Sequence, residues 1–366
     1  MTSRWRSRFL LALIVATTLV VLGLPARAQT NAGAKAAGPH RAIYLYRGAD
    51  RDARLIDAAK KEGSVAVYTS LNTKDSVPLK DAFERKYGVK LVLWRSSSEK
   101  VLQRAVTETR AGRFAFDVIE TNGPEMEAAY RENLLDEFWS PWLIDLPAEA
   151  FPSHRHYVAD RFNFFTIAWN TNLVKAEDVP NSYEDLLNPK WRGKIGLEGG
   201  DVDWFAAMVG HMGEQKGLAY FRKLSAQRPQ IRTGHTLIAE LIASGEIPLA
   251  AAIYNHNAER LIVKGAPIKW KALAPTFGRQ NAIGVAQNAA HPNAALLFAD
   301  FVLSNEGQQL LKERNRVPAN KSIDTPLNKF PFRMIDSEIT LDHAEHWEKL
   351  WSELFLKGQA ITKDQE

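Results

Sequence analysis

Between residues 53 and 119 the chain switches repeatedly from helical periodicity to a short apolar run, and that alternation leaves few architectures open. Residues 53–61 place Leu55, Ile56 and Ala59 on one helical face, and Gly63 ends the pattern. Val65-Ala66-Val67-Tyr68 follows as a buried strand. A helix over 75–87 stops at Gly88, Leu91-Val92-Leu93-Trp94 is the next strand, and a helix over about 97–111 leads to Phe116-Asp117-Val118-Ile119. This βαβαβ rhythm calls for a parallel sheet with right-handed crossovers. A second α/β set follows. Residues 164–169, 194–197, 248–254 and 281–287 read as strands. Residues 203–225, 235–245, 292–304, 306–313 and about 340–356 read as helices, the last with Trp347, Leu350, Trp351, Leu354 and Phe355 on one stripe.

The N-terminus adds a compartment. Arg4, Arg6 and Arg8 precede an apolar run over residues 9–24, and Ala26-Arg27-Ala28 puts small residues at both cleavage-determining positions. The run is shorter than the roughly 20 residues a membrane span needs, so residues 1–28 read as a removed secretory signal rather than an anchor. No Arg-Arg pair precedes it, which favours the general secretion route. Residues 29–50, rich in Ala, Gly and Asn, read as a loose leader. With no cysteine anywhere, the chain is not a lipoprotein and has no disulfides. It must therefore be stable through its core alone, which its 45% hydrophobic and 10% aromatic content can build. A chain of 366 residues exceeds what one core serves, so two domains are expected. The +5 formal charge lies mostly in Arg4, Arg6, Arg8 and Arg27. A nearly neutral mature chain argues against a general binder of nucleic acid or membrane surface.

Five local patterns occur in order: KEGSVAVYTSLN, LKDAFERKYGVKL, FDVIETNGPEM, SYEDLLNPKWRGKIGL and HPNAALLFADFVLSNEGQQLL. With them the chain resembles, over about residues 53–320, the family 1 extracellular solute-binding proteins of bacterial ABC importers. Within that family it is similar to the ferric-iron-binding periplasmic subgroup. The resemblance implies an α/β chain with the type II periplasmic-binding-protein fold, two α/β lobes with a ligand cleft between them. Lobe 1 would comprise 51–138 plus 275–315, and lobe 2 would comprise 139–274 plus 316–366. The chain would cross between lobes near 121–123 or 138–142 and again near 272–282. The resemblance also implies a monomeric periplasmic protein that is not an enzyme. Such a protein has no catalytic residues and no cofactor, binds a small molecule, and has an inner-membrane ABC permease as partner.

A physical rule points to the same cleft, because ligands of open α/β sheets sit beyond the carboxyl ends of the strands. Those loops contain Ser70 and Asn72, Ser97 and Ser98, Asn122, then Asp201, Asp203 and Trp204, and finally Tyr254, His256 and Asn257. Ser96 to Glu99 opens a helix whose free N–H groups can hold an anion, and the same residues spell a capping box. Asp201 or Asp203 can likewise cap the helix that starts near Trp204. Trp169 reads as core.

Iron-binding relatives commonly use a histidine, a glutamate and two adjacent tyrosines, a set that suits Fe(III) with its preference for anionic oxygen. Asn72, Asn122, His256 and Asn257 stand at the matching positions, so no metal is expected. Asparagines both donate and accept hydrogen bonds, as a small polar organic solute requires. Acids at 198, 201 and 203 would repel phosphate and suit an ammonium group or polyol hydroxyls. Two alternatives remain: a ferric carrier using Tyr254, His256 and acids or a synergistic anion, and an enzyme or sensory protein. No G-x-S-x-G, P-loop, G-x-G-x-x-G or H-E-x-x-H motif is present. His343 with His346, and His154 with His156, read as solvated pairs.

Overall fold

The computed structural model describes residues 38–357, so the signal read over 1–28 and part of the leader lie outside the described residues. The strands are β1 Ser64–Thr69, β2 Lys90–Arg95, β3 Val118–Asn122, β4 Leu135–Asp136, β5 Val158–Asn170, β6 Ile195–Glu198, β7 Gln230–Arg232, β8 Leu249–Tyr254, β9 Ile268–Lys271, β10 Phe277–Ala286, β11 Val317–Pro318 and β12 Arg333–Met334. They join in the order β2-β1-β3-β10-β5-β8-β6-β7, with β4 and β12 on β10 and with β9 and β11 on β5. β1 runs parallel to both β2 and β3, as the βαβαβ rhythm predicts. β10 then enters antiparallel beside β3.

β5 carries the architecture. Its first half pairs with β10 and β11, and from Phe165 onward it pairs with β8 and β9. It therefore belongs to both halves of the sheet and is buried along its whole length, which requires cover on both faces. That cover comes from helices. They are α1 Arg41–Tyr44, α2 Arg51–Glu62, α3 Thr73–Tyr87, α4 Ser98–Arg110, α5 Gly123–Arg131, α6 Val202–Met212, α7 Glu214–Ala226, α8 His235–Ser244, α9 Asn255–Ile262, α10 Pro292–Leu303, α11 Asn305–Glu313, α12 Ser337–Asp342 and α13 Ala344–Trp351. In the first half, Leu55 of α2, Phe83 of α3 and Phe301 of α10 pack on one face, and Val101 of α4 and Met126 of α5 on the other. In the second half, Phe205 of α6, Phe221 of α7 and Trp351 of α13 fill one side, and Ile238 of α8 and Ala258 of α9 the other. Gly63 and Gly88 end α2 and α3 in left-handed geometry, the role glycine fills without a Cβ penalty.

Several expectations change. The helix read over 203–225 is two, α6 and α7, parted at Gly213 with φ 81°. The turn brings Gly217 so close to α6 that a Cβ there would lie 2.7 Å from the Val209 backbone. The helix read over 340–356 is α12 and α13 joined at His343, with a wider turn over Ser352–Leu356. The leader is not loose where it is described. Tyr44 is fully buried, and its hydroxyl donates to the Ala286 carbonyl at 2.9 Å. The first passage between halves falls inside β5 at Phe164/Phe165, not near 121–123 or 138–142, whereas the return lies between β9 and β10, inside the stretch 272–282 read from sequence. Leu146, Ala150, Val317 and Leu327 fill the core beneath the first half, although residues 139–274 and 316–366 were expected in the other lobe. Burial of these apolar side chains decides the matter, and sequence order does not reveal it.

Candidate functional site

The turns after β1, β2, β3, β6 and β8 meet at one cleft of about 360 Å³. Ser70, Asn72, Ser97, Ser98, Asn122, Tyr254, His256 and Asn257 all line it. Each stands at a strand-to-helix junction. Asn72 caps α3, its side chain accepting from the Lys74 amide at 3.0 Å. Ser97 is the N-cap of α4 but makes no side-chain cap bond, so the capping box expected from Ser96 and Glu99 does not form. The first-turn amides of that helix have no intrahelical acceptors, and Ser97 and Ser98 at its start line the cleft. Tyr254 is the N-cap of α9, so His256 and Asn257 occupy its first turn.

Three expected residues do not line this cleft. Trp204 is fully buried, packed near Phe165, Tyr183 and Phe221. Asp201 is also fully buried. It takes the N-cap position of α6 without a side-chain cap bond and instead accepts from His235 Nε2 at 3.1 Å. Burial raises its carboxyl to about 6, against the opposing pull of His235. Asp203 faces a neighbouring chamber and accepts two hydrogen bonds from Arg279, so it is not a free carboxylate; it sits inside the first turn of α6, not at the N-cap, and there also accepts from the Trp204 amide at 2.8 Å. His154 is not solvated either. Its Nε2 lies 2.9 Å from Glu127, and its ring stacks on Tyr130. His343 and His346 are exposed, as expected.

The residues missed from sequence are Arg161 on β5, Arg279 on β10 and Arg316 just before β11, all lining the cleft. Each guanidinium is paired from behind. Arg161 donates to Glu120 and to Asp160, and its Nε has no partner among the described residues. Arg279 donates from Nε and Nη2 to Asp203 and from Nη1 to the Tyr254 hydroxyl. Arg316 donates from Nε at 2.9 Å and Nη2 at 2.6 Å to Asp75, and its Nη1 lies 2.5 Å from His256 Nε2. A signal for them exists, since an arginine inside an apolar strand must find a buried partner.

These pairings set the polarity of the cleft. Burial, followed by the positive charge of Arg316, holds His256 well below the ordinary histidine range, so its ring is neutral. Nε2 accepts from Arg316, so the ring proton sits on Nδ1, which has no partner among the described residues. Burial raises the Tyr254 phenol well above its usual range against the pull of Arg279. Its oxygen is already an acceptor, which leaves its proton to donate. An asparagine chain behaves similarly. Asn163 donates to Asn281, and Asn281 donates to Asn122 Oδ1 at 2.7 Å, which leaves the Asn122 amide as a donor. The cleft is thus rich in donors and guanidinium groups.

Two clusters have metal-compatible donor spacing. Glu198, Asp201 and His235 stand beside the cleft, and Glu127, His154 and Glu338 lie between α5 and α12. In the first, Glu198 already accepts from the Gly200 and Gly234 amides at 2.6 and 2.9 Å, and Arg279 stands 3.6 Å from Asp201.

Among known proteins, the iron uptake protein A1 of Synechocystis is 24% identical over 308 residues, covering 75% of this chain and 83% of that one. The major ferric iron-binding protein of Neisseria meningitidis is 22% identical over 337 residues, covering 83% and 97%. The periplasmic binding protein AfuA of Actinobacillus pleuropneumoniae, solved with fructose-6-phosphate, superposes with a TM-score of 0.73 at 21% identity, over 81% of this chain and all but 1% of that one (99% covered). Iron-bound HitA of Pseudomonas aeruginosa gives 0.70 at 19% identity, over 80% and 99%. These superpositions establish the two-lobed α/β periplasmic binding fold. The family model for bacterial extracellular solute-binding proteins matches residues 117–341, and this chain belongs to that family.

Proposed function

We propose that this protein is the periplasmic receptor of an ABC importer and that its cleft takes a small polar organic solute bearing an anionic group. Binding rather than turnover is its task, with delivery to an inner-membrane permease. The observation that carries the reading is the state of His256 and Tyr254, the two side chains best suited to hold iron. Arg316 and Arg279 turn both into hydrogen-bond donors. A neutral histidine whose bare nitrogen already faces a guanidinium has no lone pair left for a metal. The donor-rich wall, with Arg161 and the α4 N-terminus, suits carboxylate or phosphate oxygens. Asp203, held by Arg279, is no longer a partner for an ammonium group. The fructose-6-phosphate of the AfuA complex is one solute of the required class.

Ferric iron is the second reading, favoured by the names of the Synechocystis and Neisseria relatives. Thermal unfolding of the mature protein with fructose 6-phosphate, related sugar phosphates and ferric citrate separates the two. A sugar phosphate should raise the melting temperature, and ferric citrate should produce no visible tyrosinate-to-iron band. A strong band with one iron per protein would replace the organic reading with the ferric one.

A further inference from the structure

Beside the polar cleft lies a second, larger chamber of about 690 Å³. The two have Glu99, Asn122, Gly200 and Arg279 in common as wall residues, so they meet there. Their chemistry differs. The chamber is walled by Leu102 and Val106 of α4, Pro124 and Ala128 of α5, Val202 of α6 and Leu341 of α12. Its surface is mostly apolar, with Gln103, Arg110, Asp203 and Glu348 also standing in its wall, and its volume is typical of small-molecule sites. Its guanidinium at the junction, Arg279, is already committed to Asp203 and Tyr254. Glu125 lines the chamber, and its Oε2 has no partner among the described residues. Burial, and then the charge of Glu99, raises the Glu125 carboxyl to about 8, so it carries its proton at neutral pH and adds no charge to the apolar wall.

We infer that the physiological solute is elongated, its anionic group lying in the polar cleft and an apolar arm passing between Asn122 and Arg279 into the chamber between α4, α5 and α12. This rests on the cleft being the solute site and names the class of solute it takes. It also gives α12 and α13 a role, because they form the far wall of the chamber and so touch the arm.

Calorimetric titration of the mature protein with methyl, butyl and hexyl phosphate tests it. Affinity should rise by up to about fourfold for each methylene that enters the chamber. Ala128→Trp on α5 and Ala344→Trp on α13 fill the chamber from two different helices at partly exposed positions. Each should abolish the gain with chain length while leaving methyl phosphate binding unchanged, and either variant suffices if the other fails to fold. Affinity independent of chain length would overturn the inference while leaving the cleft reading intact. If no alkyl phosphate binds, the elongated solute is wrong, and thermal unfolding with fructose 6-phosphate separately decides the cleft reading. Chamber-filling variants that keep the full chain-length gain would place the arm elsewhere and overturn it as well.

Discussion

At the scale of single residues, the cleft is governed by what each guanidinium does to its neighbour. His256 stays neutral in the fold at pH values where an unfolded histidine, with a pKa near 6.5, has taken a proton. Below that pH the unfolded chain binds a proton that the folded chain refuses, so stability present above about 6.5 is lost as pH falls. Asp201, raised to about 6, works in the opposite sense. The folded chain takes its proton before the unfolded chain does, so its cost is relieved as pH falls below about 6 and is gone near the unfolded value of about 4. A comparison isolates the histidine. Between pH 7 and pH 5 the melting temperature of the wild type should fall relative to that of His256→Gln, which has no ring to protonate. A gap between the two that is constant across the range would mean that His256 titrates like an exposed histidine.

At the scale of elements, Asp75 ties three of them together. It lies in α3, is 1% exposed, and accepts from Arg316 before β11 and from Arg260 of α9 at 2.6 Å. Burial raises its carboxyl pKa, but the two arginines outweigh that and leave it below the usual carboxylate range. Asp75→Asn removes the charge that both guanidiniums share, and breaking one side of a buried ion pair costs about 3–5 kcal/mol. Urea unfolding should show a lower midpoint at unchanged slope, the mark of lost stability without altered compactness. An unchanged midpoint would mean that the arginines are compensated elsewhere. The same substitution removes the carboxylate that holds Arg316 Nε and Nη2 beside His256, so any effect on solute affinity has to be read after correction for the folded fraction.

At the scale of the whole molecule, the cleft takes one wall from each half of the sheet. Ser70, Asn72 and Ser97 come from the β1–β2 side, and Tyr254, His256 and Asn257 from the β8 side. The halves are joined through β5 and the segment between β9 and β10, so hinge closure around a solute is expected to bend the chain there. The absence of cysteine allows a clean measurement. Cysteines introduced at Lys100 of α4 and Glu240 of α8, both exposed, can carry a fluorescence donor and acceptor. The distance between them should shorten when a solute that raises the melting temperature is added to saturation. Binding with no change in distance would show that the site is filled without closure.

Much of the scaffold was legible in the chain itself. The alternation of apolar runs with helical faces marked β1 to β3, and Gly63 and Gly88 marked where helices stop, because periodicity and backbone permissiveness depend on covalent neighbours. The strand-end rule located Ser97, Asn122, Tyr254 and His256 for the same reason, since a loop after a strand is a local feature. It failed for Trp204, which the packing of α6 against α7 turned into the core. The charges of the cleft belonged to the tertiary structure. Arg161, Arg279 and Arg316 lie within or beside strands rather than after them, and their partners Glu120, Asp203 and Asp75 come from other parts of the chain. Whether a buried charge is compensated, and which way its neighbour then points a proton, depends on groups that only folding brings within a few ångströms. The sequence by itself determined a two-lobed α/β solute-binding protein, whereas the donor-rich polarity of its cleft was decided by the tertiary structure.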